Sequence, residues 1–84
     1  MMVDVTLIKT TLRVLRNNAD NPDLTEEIIG IDVQTSLRRP LAAHQLRDAL
    51  MHCREHGWAV EEQDDFGLPT WRITPEGRKV LEKN

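Results

Sequence analysis

The stretch Trp71-Arg72-Ile73-Thr74-Pro75-Glu76-Gly77 sets the tightest limit on what this chain can fold into. Trp71 and Ile73 alternate with Thr70, Arg72 and Thr74, which is the period of a half-buried strand. Thr74 then suits a helix N-cap, and Pro75 suits the first helical position, where its missing N–H costs nothing. A strand must therefore turn into a helix with no linker. Upstream, "WAVEEQ" (58–63) reads as a second strand and "DDFGLP" (64–69) as a turn, because Gly67 and Pro69 break the pattern. Strands this close in sequence pair as a hairpin. Val80 and Leu81 are the residues that anchor the last helix to a core.

The N-terminal half is helical. Val5, Ile8, Leu12 and Leu15 recur at helical spacing, so residues 4–18 are predicted as a first helix. Asp4 near its start and Arg13 and Arg16 near its end suit the helix dipole. "NADNPD" is a loop. Thr25 caps a short second helix, "EEIIGI", with Glu26 and Glu27 in its first turn. Residues 32–39 either extend that helix or form a long turn. Pro40 suits the first position of a third helix that Gly57 closes. On that helix Ala42, Ala43, Leu46, Ala49, Leu50 and Cys53 share one face, with His44, Arg47, Asp48, Met51 and Glu55 opposite.

With 84 residues, the chain is long enough for one domain with one small core, so residues 1–84 are read as a single domain. No apolar run approaches the roughly 20 residues that span a bilayer. Met1-Met2-Val3 leads into Asp4, not a long apolar segment, which predicts no signal peptide. The lone Cys53 rules out an internal disulfide. Together these predict a cytoplasmic protein without membrane contact. The net charge of −3 hides an uneven distribution. Residues 1–17, 33–60 and 72–84 are each net +2, whereas 18–32 are net −5 and 61–71 net −4. Whether the fold gathers the basic segments decides which partners are open to it.

The order helix, helix, helix, hairpin, helix resembles a winged helix-turn-helix domain. The resemblance is carried by residues 46–81. "LRDALMHCREHGWAVEE" is similar to the family's third helix running into the first wing strand. "WRITPEGRKVLEK" resembles the second wing strand and following helix of MarR-like and PadR-like regulators, with Ile73-Thr74-Pro75-Glu76-Gly77 and Leu81 standing in for their "LTxxGxxxL" pattern. The rest of the chain matches by helix order. The resemblance implies a mainly α fold with a small β-hairpin. It also implies a small DNA-binding protein, a transcriptional or phage-type regulator, with helix 3 as the recognition helix in the major groove. Winged helices also serve as protein-interaction modules, and that is the alternative function.

In the DNA-binding case, the candidate contacts are Arg38, Arg39, His44, Gln45, Arg47, Met51 and Arg72. Arg47 has the chemistry to pair with guanine O6 and N7, and Gln45 with adenine. Arg38 and Arg39, just ahead of helix 3, and Arg72 on the wing would neutralise phosphates. The plain alternative is an ordinary solvated helix face salted by Asp48 and Glu55. The wing tip is acidic, Asp64-Asp65, where a wing lying beside phosphates usually carries Arg or Lys.

Val3, Leu7, Thr10 and Val14 form a second, heptad-like stripe on helix 1. Either helix 1 is central in the domain, or this stripe is a homodimer contact that would match paired half-sites on double-stranded DNA. Phe66 at the wing tip is a candidate to anchor a protein partner or to insert beside DNA, or else folds back over the hairpin. Trp58 and Trp71 are expected to pack the hairpin against the helices. "HCREH" (52–56) matches an H-x-x-E-H zinc pattern. However, too little chain follows to supply a further ligand and a substrate cleft, Cys53 points to the core, and His56 sits at a helix end. No metal, cofactor or catalytic residue is assigned.

Overall fold

The computed structural model describes residues 4–83. Its elements run α1 (Val5–Asn17), α2 (Glu26–Leu37), α3 (Ala43–Glu55), β1 (Ala59–Gln63), β2 (Pro69–Ile73) and α4 (Pro75–Glu82). α1 begins where the Asp4 carboxylate accepts the Leu7 N–H at 3.1 Å. It ends at Asn18, whose amide donates to the Val14 carbonyl and to Asp32 on α2. Thr25 caps α2 through its hydroxyl oxygen, as expected. The ambiguous residues after Ile31 continue that helix to Leu37, with Val33 fully buried on its inner side. Arg38, in the left-handed conformation at φ 56°, stops it.

Pro40 does not open α3, which corrects the expected start. Ala42 is still extended, and the helix begins at Ala43. Two side-chain amides hold this stretch: Gln34 Oε1 accepts the Leu41 N–H, and Gln45 Oε1 accepts the Ala42 N–H. Ala42 and Ala43 are consequently exposed and do not join the apolar face. Leu46, Ala49, Leu50 and Cys53 do, and all four are buried.

Gly57, at φ 74°, carries the chain out of α3 in a conformation that suits glycine. β1 and β2 pair antiparallel, with Ala59 opposite Ile73 and Gln63 opposite Pro69. A single bridge from Thr25 to Thr70 and the Trp71 N–H on the Leu24 carbonyl attach the start of α2 to β2. Thr74 accepts the Gly77 N–H to cap α4 and donates to the Gly57 carbonyl at 2.6 Å, so one hydroxyl ties α4 to the end of α3. Trp71 is buried, and Trp58 is half-buried against the core, as expected for residues joining hairpin to helices.

α1 lies at the centre and packs on α2, α3, α4 and β2. This accounts for its two apolar stripes. Leu7, Thr10 and Val14 are buried within the chain itself, so these three members of the expected dimer stripe are core positions and offer no open surface to a second copy. Val3 lies outside the described residues.

Candidate nucleic-acid interface

α2, the turn 38–42 and α3 form a helix-turn-helix unit, and β1–β2 project beyond it as a wing. α3 buries one edge and leaves the opposite side open. His44, Asp48 and Glu55 are exposed there, and Met51 is partly covered by the core. Arg47 and Arg54 flank this row on one side and His52 on the other, as the helical period requires. The fold therefore brings His44, Gln45, Arg47 and Met51 onto one element, with Arg38 and Arg39 in the turn just before it. Arg72 stands apart on β2.

Three of the arginines that sequence reasoning singled out are already engaged. Arg39 pairs with Asp4 at 3.2 Å, Arg47 with Glu26 at 2.5 Å, and Arg72 with Glu62 at 3.3 Å. Arg54 pairs likewise with Glu61. Arg38 has no side-chain partner among the described residues. Gln45 uses one lone pair of its amide oxygen to cap α3, and its amide N–H groups remain for another acceptor. Accepting the Leu7 N–H, with Arg39 alongside, holds the Asp4 carboxyl below the usual carboxylate range. Asp4, Asp48 and Glu55 all border a cleft of about 530 Å³ between α1 and α3, so this flank of α3 is acidic.

The wing tip has a structural reason for half of its acidity. One oxygen of Asp64 accepts the N–H groups of both Phe66 and Leu68, and Gly67 makes the turn at φ 80°. Asp64 thus builds the turn, in the way short acidic side chains commonly do. Phe66 does not fold back: it is 89% exposed, beside Leu68 at 54%.

His52, His56 and Trp58 cluster at the end of α3, with the two imidazole centroids 4.1 Å apart and His52 edge-on to Trp58. Burial, and then the charge of His56, push the His52 pKa down. Among the described residues, no group of three His, Cys, Asp or Glu side chains is placed to hold a metal ion. Cys53 is fully buried, and burial pushes its thiol up to about 12, so it acts as a small core hydrophobe.

Sequence reasoning missed Glu26. Its Oε1 accepts from Arg47 on α3 and, at 3.2 Å, from the indole N–H of Trp71 on β2. Those partners lie 21 and 45 residues away, beyond any local pattern. The only local sign was its place in the first turn after an N-cap.

No family model matches the chain, and no curated protein matches it. Solved structures do. A mutant of S. aureus MepR superimposes with a TM-score of 0.72 at 18% identity, over 94% of this chain and 54% of that one. A second MepR mutant, bound to an oligodeoxyribonucleotide, gives 0.69 at 18% identity, over 90% and 51% respectively. A presumed DNA-binding protein of Ralstonia eutropha JMP134 gives 0.69 at 22% identity, covering 95% of both chains. The chain thus spans about half the length of MepR and nearly all of the Ralstonia protein. It has the winged helix-turn-helix fold expected from its C-terminal half: four helices and a two-stranded antiparallel wing.

Proposed function

We propose that this chain is a small winged-helix protein that binds double-stranded DNA as a transcriptional or phage-type regulator. α3 would be the recognition helix, and no catalysis is assigned. The observation that carries the reading is the presentation of α3. Its apolar edge is buried and its outer face open, with Arg38 unpaired among the described residues one turn before it and a hairpin wing after it. A helix displayed in this way is what enters a major groove. Neighbours of the same fold give further support, one of them bound to an oligodeoxyribonucleotide.

The ion pairs on Arg39, Arg47 and Arg72 do not argue strongly against this reading. Those on Arg39 and Arg72 join exposed groups, and such pairs contribute about 0–1 kcal/mol, so exchanging a carboxylate for a phosphate costs little there, while the pair on Arg47 engages one edge of its guanidinium and leaves the other for a base. Asp48 and Glu55 fit a groove lined by base edges better than a phosphate track, because a carboxylate can accept from cytosine N4. No helix among the described residues is long and apolar enough to cross a membrane, and a cytoplasmic location accords with this function. A two-fold dimer on paired half-sites would have to use surface other than Leu7, Thr10 and Val14.

The test is binding to a mixed-sequence duplex across a salt series. Micromolar or tighter binding that weakens steeply as salt rises is the expected result. No binding even at low salt would sink the proposal. It would favour the second reading, a protein-interaction module, for which the exposed Phe66 and Leu68 at the wing tip are the specific observation.

A further inference from the structure

Glu26 occupies a junction that no other carboxylate in the described fold shares. It sits in the first turn of α2, where a negative charge complements the helix dipole. The same oxygen receives the Arg47 guanidinium from α3 and the Trp71 indole from the wing. Trp71 is 2% exposed, so its N–H depends on this acceptor. The indole in turn fixes where the carboxylate stands, and the carboxylate then fixes the head group of Arg47. Arg39 and Arg72 are held differently: Asp4 and Glu62 are exposed and, among the described residues, receive no second side-chain donor besides the arginine.

We infer that Glu26 is a positioning residue for DNA recognition. Anchored through Trp71, it holds Arg47 by one edge and restrains it from wandering onto phosphates. This inference rests on the proposed DNA-binding function. Its physical basis is an asymmetry between two kinds of contact. A phosphate accepts a guanidinium from many directions, so an unrestrained Arg47 would add to binding of any sequence. Reading a guanine edge needs the free side of a guanidinium in one orientation, which an immobile carboxylate behind it supplies. Glu26 therefore lowers indiscriminate binding while leaving the outward edge of Arg47 ready.

The test uses Glu26→Gln, which keeps an oxygen for Trp71 and removes the charge that holds Arg47. Binding to a mixed-sequence duplex is measured for the unsubstituted protein, Glu26→Gln, Arg47→Gln, the Glu26→Gln/Arg47→Gln double variant and Glu27→Gln. Glu27 lies beside Glu26 in the same turn and is exposed, and the ion pair of Arg47 goes to Glu26 instead, so Glu27 controls for loss of one charge. Thermal unfolding confirms that each variant folds. Glu26→Gln should tighten mixed-sequence binding by about fivefold and steepen the log–log salt slope by about one unit, the signature of one more phosphate contact. The gain should disappear when Arg47→Gln is already present and should exceed that of Glu27→Gln. An equal gain from Glu27→Gln, a gain that persists without Arg47, or no gain at all would overturn the inference while leaving DNA binding intact. Failure of every folded variant to bind at low salt would instead overturn the function on which it rests.

Discussion

Replacing Arg38, Arg39 and Arg47 together by alanine should weaken duplex binding at least tenfold at about 0.1 M salt and reduce the log–log salt slope by about two units, since Arg38 and Arg39 each neutralise a phosphate and each phosphate contributes roughly 0.9. The three residues reach the same region from the turn before α3 and from its second turn. The expected loss comes from the interface and not from the fold. All three side chains are exposed, and Arg38→Ala keeps a residue with a Cβ at the left-handed position, so the backbone cost there hardly changes. Glu26 retains the Trp71 indole when Arg47 is gone. Thermal unfolding should therefore move little while binding collapses. Unchanged affinity and slope in the triple variant would mean that α3 and its preceding turn do not face DNA.

The second large effect concerns the fold. Gly77→Ala should destabilise the domain by about 3 kcal/mol or more, because over-packing against fixed backbone leaves no cheap relaxation. In a domain of this size that lowers the midpoint of thermal unfolding by more than about 12 °C. A Cβ at Gly77 would fall onto the Trp58 carbonyl and lie 2.8 Å from Ile73 Cγ1. Trp58 cannot yield, since its carbonyl accepts the Thr74 N–H at 3.0 Å, and the Thr74 hydroxyl caps α4. Glycine is needed here for space, not for an unusual φ. Gly30→Ala provides the contrast, for its new Cβ meets only the end of the Leu46 side chain at 3.3 Å. Calorimetry or circular-dichroism melts of the two variants check the difference. A Gly77→Ala protein that melts like the original would refute the tight α4–hairpin junction.

That junction was also the most legible part of the sequence. The alternation around Trp71, the Thr74 cap and Pro75 are local chemistry, and local chemistry located β2 and the start of α4 to within a residue. The end of α2 was not legible because residues 32–37 carry no strong breaker. What stops the helix is Arg38 adopting a left-handed conformation, which nothing in its side chain announces. Pro40 misled for a related reason. It is compatible with a helix start, but the side chains of Gln34 and Gln45 accept the next two backbone N–H groups and Ala42 stays extended.

The candidate site divides along the same line. Helical periodicity was enough to place His44, Arg47, Asp48 and Met51 on the outer side of α3. Periodicity could not tell whether the second stripe of α1 faced a partner or the core, because that depends on α4 and β2, which pack against α1 from far along the chain. The ion pairs that temper Arg39, Arg47 and Arg72 were equally hidden. Each joins residues brought together only by tertiary packing or strand register. Charge blocks along the sequence left open whether the basic segments share a surface, and the fold pairs several of their arginines with acids from neighbouring elements.

The central claim is that α3, with the turn before it, is the surface that meets DNA. Its most direct test is to follow backbone amide resonances of the labelled protein while a mixed-sequence duplex is added at low salt. The account predicts that the largest shifts map to residues 38–51, with smaller ones around Arg72. Shifts confined to Phe66 and Leu68, or to the outer face of α1 around Arg13 and Arg16, would contradict it and move the interface elsewhere on the domain.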